Sequence, residues 1–300
     1  MHSTSPAFLK GIRHLYPFES HYFDFGGLRL HYLDEGAGDP VLLLHGNPSW
    51  SFMYRDLVGA LRQECRALAP DHIGCGLSSK PGEERYSYTL VQRVADLEAF
   101  VEHLRLERRV SLVLHDWGGL IGMAWAARHP ERIDRLVVLN TAGFLVPSGA
   151  SLHWTIRFCR RSQLAAFFMT YFNAFSLGAC RLGSAKGMRR EIRQGYLGPY
   201  ASARDRTAVT RFVQDIPLQR GDPAYSLVAE TEDRLKQLRS RPVLICWGTR
   251  DFVFDQAFLS RWLDHFPHAE VHRFEAAGHY VLEDAATDAI PLIKEFLCGG

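Results

Sequence analysis

The 300-residue sequence lacks long hydrophobic runs and lacks a marked excess of charge of either sign. No apolar run approaches the roughly 18–20 residues that a membrane-spanning helix needs. The net charge is only +2, which argues against a globally basic surface for nucleic acid. Met1–Lys10 lacks the apolar centre of a secretory signal, so we expect a cytoplasmic protein without a transmembrane segment.

Cysteine and histidine are present but lack the spacing of metal sites. The six cysteines show no CxxC motif and no Cys/His ligand pattern, and the 14 histidines form no HExxH cluster. We therefore expect no metal and no cofactor, and free thiols rather than a disulfide framework. The six cysteines are Cys65, Cys75, Cys159, Cys180, Cys246 and Cys298.

The apolar residues, in contrast, are patterned. Continuous apolar runs, typical of strands buried on both faces, alternate with helical patterns. Two alternating stretches around Gly26-Gly27 predict an antiparallel start. The whole pattern predicts an α/β fold with a mostly parallel, doubly wound sheet. The predicted strands are His21–Phe25, Leu28–Leu33, Val41–Leu44, Arg66–Ala69, Val110–Leu114, Leu136–Leu139, Val243–Trp247 and Glu270–Phe274.

Residues 144–235 interrupt this alternation with helical patterns. We predict a helical cap there, inserted between core segments 1–143 and 236–300. Residues 145–225 contain 12 Lys or Arg and 4 Asp or Glu, a local charge of +8. Such an excess is typical of a solvated helical face, and the alternative is docking to an acidic partner enzyme or a membrane surface.

The predicted cap also contains an aromatic run: Phe167, Phe168, Tyr171, Phe172 and Phe175. Packing inside the cap is the ordinary interpretation of such a run, with some of the rings lining a pocket. Ligands of doubly wound sheets bind at the C-terminal edge of the strands. A cap over that edge therefore predicts a hydrophobic small-molecule substrate.

Asp116 lies between a predicted buried strand and a predicted helix, in the segment HDWGG. This is the position of a nucleophile elbow, and Gly118 and Gly119 allow the close backbone approach that such a turn needs. No GxSxG motif occurs in the chain. A carboxylate there can attack an alkyl carbon or a strained ring and form a covalent ester. The structural alternative is an Asp that caps the following helix.

Two further polar residues follow the last two predicted strands. Asp251 comes after the first of them and His279 after the second, so the chain order is nucleophile, acid, base. Asp251 would hold the imidazole in one tautomer, and His279 would activate water or relay a proton near Asp116. Asp255 and Asp284 are rival acids, although neither stands at a strand exit.

Asn47 and Trp117 are candidates for binding an anion. Their backbone N–H groups can form an oxyanion hole. Their side chains are two neutral donors, which suit a halide or a developing carboxylate because they leave the charge of Asp116 intact. Trp117 could instead only pack against the elbow.

These motifs resemble the α/β-hydrolase superfamily and, within it, the haloalkane dehalogenase group. They are HGNPSW at 45–50, PDHIGCGLSSKP at 70–81, HDWGG at 115–119, WGTRD at 247–251 and AGHYVLED at 277–284. One dehalogenase branch has a Glu where this chain has Asn140, so the resemblance assigns the acid to Asp251. Asn47 with Trp117 and Asp251 is similar to the third branch. Leu114 departs from the elbow pattern, where a small residue is commoner, and predicts a slight shift of the elbow.

Three stretches look closer to the β-lactone decarboxylases of bacterial long-chain olefin biosynthesis: residues 70–81, 211–218 and 250–255. The resemblance implies decarboxylation of a cis-3,4-dialkyl β-lactone (oxetan-2-one) to a cis-alkene and CO₂. The alternative is a haloalkane dehalogenase that works through an alkyl ester on Asp116. Less favoured are a non-catalytic binding protein and an epoxide hydrolase, which would need Tyr171, Tyr196, Tyr200 or Tyr225 to protonate the epoxide oxygen.

Overall fold

The computed structural model describes residues 6–150 and 154–299, and they contain an eight-stranded sheet. The strand order is β1-β2-β4-β3-β5-β6-β7-β8. β2 pairs antiparallel with β1 and β4, and every other pair is parallel. The predicted α/β fold with a mostly parallel sheet is confirmed. The strands are β1 (His21–Phe25), β2 (Leu28–Glu35), β3 (Pro40–Leu44), β4 (Arg66–Pro70), β5 (Val110–Asp116), β6 (Ile133–Thr141), β7 (Val243–Gly248) and β8 (Glu270–Phe274).

Helices cover both faces of the sheet, and between β6 and β7 they form an inserted group. In the described part of the chain, no helix is long and apolar enough to cross a bilayer. The helices are α1 (Ala7–Ile12), α2 (Arg55–Leu61), α3 (Leu90–His103), α4 (Trp117–Ala126), α5 (Trp154–Arg161), α6 (Gln163–Phe172), α7 (Ala174–Leu182), α8 (Arg190–Leu197), α9 (Thr207–Gln214), α10 (Tyr225–Arg234), α11 (Gln256–His265), α12 (Val281–Asp284) and α13 (Ala286–Cys298).

The continuous apolar strands form two hydrophobic cores because successive side chains point to opposite faces. Leu42 and Leu44 of β3 join one core, while Val41 and Leu43 join the other. β3, β5 and β7 are buried along their whole length. The central strands are therefore held on both sides, and their carboxyl ends have defined positions at one edge.

The insertion between β6 and β7 contains α5–α10. Its last helix, α10, contacts α4 under the sheet, and Val228 and Leu235 join the core there. The division at residues 144 and 235 stays a prediction. Ser151–His153 of the predicted cap lie outside the described residues, as do Met1–Ser5 of the first core segment and Gly300 of the second core segment.

The expectation of free thiols is wrong for one pair of cysteines. Cys65 and Cys298 form a disulfide between the start of β4 and the end of α13. Their 233-residue separation hides the pairing from the sequence, because only the packing of α13 against α2 brings the two ends together. Cys75, Cys159, Cys180 and Cys246 are free. The cytoplasmic location stays a prediction.

A buried ion pair fastens the segment after β8 to the rest of the fold. Arg55 donates two hydrogen bonds to Glu283, of 2.6 and 2.8 Å, and the Tyr196 hydroxyl donates a third of 2.7 Å. Although burial opposes its charge, the Glu283 carboxylate raises the pKa of Arg55 above its usual value. These three hydrogen bonds connect α2, α8 and α12.

Glu283→Gln should destabilise the fold strongly because it leaves the Arg55 charge buried without a counter-charge. We expect a loss of about 3–5 kcal/mol in the free energy of unfolding, measured by urea denaturation. Arg108→Gln is the control, because Arg108 and Asp39 form an ion pair of two largely exposed side chains. It should leave the unfolding midpoint unchanged, and an equal loss in both variants would contradict a special role for the buried pair.

Candidate active site

Asp116 ends β5 in a tight turn, with φ of 50° and ψ of −124°. This backbone conformation is rare for a residue with a side chain and needs support from its surroundings. A Cβ at Gly118 would overlap the Leu44 carbonyl oxygen, and one at Gly119 would overlap Thr141. The two glycines therefore permit the close packing of the elbow. The Asp116 side chain makes no hydrogen bond that caps α4, so the structural alternative is not what the fold shows.

The bulk of Leu114 is accommodated opposite another glycine. A Cβ at Gly122 of α4 would lie 2.5 Å from Leu114 Cδ2 and 2.8 Å from Leu44 Cδ1. Because Gly122 has no side chain, the two leucines fit between β5 and α4. Gly122, four residues after Gly118 in the sequence, was the available sign that α4 leaves room for a large residue at position 114.

The carboxylate of Asp116 is held by the segment after β3. Asn47 N–H donates to Asp116 Oδ1 at 2.6 Å, and the backbone N–H of Trp117 also favours the charged form of this carboxylate and so lowers its pKa. A Cβ at Gly46 would overlap the Asp116 side chain. The predicted oxyanion donors thus converge on the carboxylate itself.

His279 and Asp251 lie next to Asp116, as the chain order suggested. His279 Nδ1 is 2.9 Å from Asp251 Oδ2, and its Nε2 is 3.8 Å from Asp116 Oδ2. Since Asp251 faces Nδ1, the nitrogen Nε2 points toward Asp116. His115, buried under the elbow, donates a 2.9 Å hydrogen bond to the His279 carbonyl oxygen and fixes this backbone.

The Asp251 carboxylate accepts hydrogen bonds from two further donors. Oδ1 accepts the backbone N–H of Val253 at 2.7 Å, and Oδ2 accepts the Asn140 side chain at 3.0 Å. Asn140 also bridges to Gly248, donating to its carbonyl oxygen and accepting its N–H. Asn140, which stands at the position where a Glu was the alternative acid, therefore orients Asp251.

The rival acids have other partners. Asp255 accepts the backbone N–H of Ala257 and caps α11. Asp284 accepts hydrogen bonds from Ser184 and from the N–H groups of Ala185 and Gly278. Asp284 thus joins the cap to the segment before His279, and neither carboxylate contacts the imidazole.

Burial and charge act in opposite directions on the pKa values of His279 and Asp116. Burial lowers the pKa of His279, but the carboxylates of Asp251 and Asp116 outweigh it, and the pKa lies above its usual value. Burial raises the pKa of Asp116, although His279 and the two backbone donors favour its charged form. Burial holds the pKa of His115 well below its usual value, so that His115 stays neutral.

Asn47 and Trp117 line the same cavity as Asp116 and His279. Asn47 Nδ2 donates to the Val209 carbonyl oxygen of α9 at 3.1 Å, which leaves its second hydrogen for a ligand. The Trp117 ring packs on Phe212, with centroids 5.1 Å apart, and its indole N–H has no protein acceptor among the described residues. Sequence reasoning missed these contacts, because only folding brings α9 over Asn47 and Trp117.

The cavity encloses about 480 Å³ and is almost entirely apolar apart from its floor. Its polar lining residues are Asn47, Asp116, Thr155, Cys159 and His279. The Phe254 ring stacks on His279 with centroids 5.8 Å apart, a contact that sequence reasoning also missed. In the part of the chain that is described, no group of three His, Cys, Asp or Glu side chains could hold a metal ion. The aromatic lining residues are Trp117, Phe144, Phe158, Phe168, Phe175, Phe252, Phe254 and Phe258.

No tyrosine among the described residues lines this cavity. Tyr196 donates to Glu283, and Tyr200 donates to the Ser49 carbonyl oxygen at 3.1 Å. Tyr171 is exposed, and Tyr225 begins α10 below the sheet. The cavity therefore offers no phenol that could protonate an epoxide.

The aromatic run of the cap is split between two surroundings. Phe168 and Phe175 line the cavity. Phe167, Tyr171 and Phe172 are exposed, so packing inside the cap is the wrong interpretation for these three. Helical periodicity places them on the face of α6 that points away from the core.

Known proteins of similar sequence and structure have the same fold. Residues 39–286 match the model of the α/β hydrolase fold family. The chain is 48% identical to the cis-3-alkyl-4-alkyloxetan-2-one decarboxylase of Shewanella oneidensis, over 94% of this chain and 89% of that protein. It is 43% identical to the protein of the same name from Xanthomonas campestris, over 90% and 93%. The crystal structure of the haloalkane dehalogenase DatA from Agrobacterium tumefaciens superposes with a TM-score of 0.83 at 27% identity, over 93% and 96%.

Asp251→Asn should lower the pKa of His279, because the largest stabiliser of the imidazolium is removed while the burial that disfavours it remains. In the intact protein His279 should still be protonated above pH 6.5, and in the variant it should lose its proton at a lower pH. The imidazole Cε1–H resonance, followed by NMR across pH, measures the shift.

Asp255→Asn is the matched control for this titration, because Asn also caps helices and Asp255 does not contact His279. The His279 titration should be unchanged in this variant. An unaltered titration in Asp251→Asn would show that another group sets the charge of His279.

Proposed function

This chain belongs to the α/β-hydrolase family, and we propose that it decarboxylates cis-3,4-dialkyl β-lactones (oxetan-2-ones) to cis-alkenes and CO₂. The observation that carries the proposal is a carboxylate nucleophile, Asp116, at the floor of an apolar cavity. An elbow with Asp in place of Ser suits attack on an alkyl carbon or a strained ring. The two relatives named as decarboxylases match over nine-tenths of the chain and support this substrate class.

We assign the nucleophile to Asp116. His279 would favour the charged form of Asp116 and would act as a base only where water must be activated, and Asp251 is the acid that orients His279. Asn47 and Trp117 would bind the anion that forms when the ring opens. In the proposed first step, Asp116 attacks C4 with inversion. The C4–O1 bond breaks, and its electron pair stays on the released carboxylate, which the two neutral donors would hold.

In the second step the bond between C3 and the carboxylate breaks, and its electrons form the C3–C4 double bond. The C4–O bond to Asp116 breaks at the same time, and its electrons return to the Asp116 carboxylate. Inversion followed by anti elimination converts a cis ring into a cis alkene. The two steps together release CO₂ and consume neither water nor a proton.

Attack at the lactone carbonyl, which would give a mixed anhydride, is the other route. That route needs donors for the carbonyl oxygen. The backbone N–H of Asn47 already donates to Asp116 Oδ1, and that of Trp117 favours the same negative charge, which supports attack at C4. Charge then develops only on the leaving carboxylate, where the side chains of Asn47 and Trp117 line the cavity.

Haloalkane hydrolysis is the alternative function. The same carboxylate would displace a halide held by Asn47 and Trp117. The structural likeness to the haloalkane dehalogenase DatA supports this alternative. The two reactions differ in one requirement, because hydrolysis of the alkyl ester needs a water activated by His279. The position of His279 Nε2, 3.8 Å from Asp116 Oδ2, is compatible with this role.

A parallel assay of a long-chain cis-β-lactone and 1-bromobutane tests the substrate class. We expect rapid release of CO₂ and cis-alkene from the lactone, and bromide release at a far lower rate. Asp116→Ala should reduce both rates by about 10⁴-fold or more, since the nucleophile is lost. Asp255→Asn should retain activity, whereas full activity in Asp116→Ala would exclude both covalent mechanisms.

His279→Gln should separate the two reactions. With 1-bromobutane it should release one equivalent of bromide and stall as an ester on Asp116, because no base activates water. With the β-lactone it should continue to turn over at a reduced rate, because elimination regenerates Asp116 without water. Bromide stoichiometry and intact-protein mass measure the two outcomes. A persistent ester with the lactone would contradict the elimination step.

A further inference from the structure

The helices α5, α6 and α7 expose an unusual number of large apolar side chains. Nine of the ten large hydrophobic residues exposed in the described residues belong to these three helices, each with 45% to 69% of its surface accessible. An exposed patch of this size marks an interaction surface. We call it the cap face, and its residues are Trp154, Phe158, Leu164, Phe167, Phe168, Tyr171, Phe172, Leu177 and Leu182.

The rings at the centre of the cap face are contiguous. On α6, Phe167 lies 4.8 Å from Tyr171 and 5.9 Å from Phe172 between ring centroids, and Phe168 lies 5.5 Å from Phe172. α5 and α7 both pack against α6 and extend the surface on either side. The exposed side chains therefore form one patch rather than scattered single residues.

Helices α5, α6 and α7 contain arginines and no acidic residue. No Asp or Glu occurs between Asp134 and Glu191. Arg157 and Arg181 are exposed on α5 and α7, and neither has a carboxylate partner among the described residues. The cap face is thus an aromatic surface bordered by unpaired arginines.

The cavity opens through the cap face. Phe158, Leu164, Phe168 and Leu182 line the cavity and are also exposed, so they form its rim. A hydrophobic compound that enters or leaves the cavity at this rim passes directly across the aromatic patch.

We propose that the cap face docks on the surface of an anionic lipid bilayer, with the cavity mouth toward the acyl chains. Amphipathic helices with aromatic residues on one face and basic residues beside them bind in the interfacial region of membranes. Each arginine near an anionic surface adds electrostatic attraction. The docking inference stands on the surface alone and does not depend on the proposed reaction.

The charge pattern disfavours a second copy of the chain as the occupant. In a two-fold dimer the same patch faces itself, so the unpaired arginines of both copies would meet without an intervening carboxylate. Like charges that face each other across an interface oppose association. An anionic lipid surface supplies the missing negative charge.

Flotation with lipid vesicles tests the proposal without any substrate. At low salt the intact protein should float with vesicles of phosphatidylcholine and phosphatidylglycerol, bind weakly to phosphatidylcholine alone, and be released by high salt. The double variant Phe167→Ser/Phe172→Ser should lower the partition coefficient about tenfold or more, because two buried rings are lost from the lipid contact. Val91→Ser is the matched control, since Val91 is the exposed apolar residue on α3, away from the cap face.

The charge variant Arg157→Gln/Arg181→Gln should weaken binding to anionic vesicles about fivefold for each arginine and leave binding to phosphatidylcholine unchanged. Unaltered melting temperatures would show that the variants are folded. Absence of binding by the intact protein at low salt, or an equal loss in Val91→Ser, would overturn the proposal. So would light scattering that shows a dimer abolished by Phe167→Ser/Phe172→Ser, because the cap face would then be a contact between copies. Because no turnover is measured, these outcomes are independent of the decarboxylation assay.

Discussion

A carboxylate held in an apolar cavity is the constraint on which the site depends. Without donors, burial would favour the protonated form of Asp116 and remove its negative charge. The chain meets this requirement with the backbone N–H groups of Asn47 and Trp117 and with the imidazole of His279. The turn around Asp116 can pack this closely because Gly46 has no side chain against Asp116 and Gly118 has none against the Leu44 carbonyl oxygen.

The same logic extends outward from His279. Its charge is favoured by Asp251, and Asp251 in turn accepts hydrogen bonds from Asn140 and the N–H of Val253. The segment that carries His279 is anchored beyond the site, through Asp284 to the cap and through Glu283 to Arg55. The polar groups that orient His279 are therefore themselves held by hydrogen bonds, whereas the side chains of Asn47 and Trp117 line the cavity and keep donor hydrogens that have no acceptor among the described residues.

The cap supplies a different kind of surface. Its inner face completes the apolar walls, and α9 positions Asn47 through the Val209 carbonyl oxygen. Its outer face exposes aromatic rings where a globular protein usually presents polar groups, and the cavity opens between the two. Phe158, Leu164, Phe168 and Leu182 belong to both faces, because they line the cavity and are also exposed.

Much of the fold could be predicted from the sequence, and so could the grouping of three polar residues at one edge of the sheet. Apolar runs located the central strands, and Asp116, Asp251 and His279 were expected to lie together because parallel strands bring their carboxyl ends to one edge. Local patterns could not place Phe167, Tyr171 and Phe172, because helical periodicity defines a face without saying whether anything covers it. Nor could they pair Cys65 with Cys298 across 233 residues. Residue type and local order are properties of the sequence, whereas the contacts of α9, α13 and the outer face of α6 depend on how distant elements pack, and only the tertiary structure decides them.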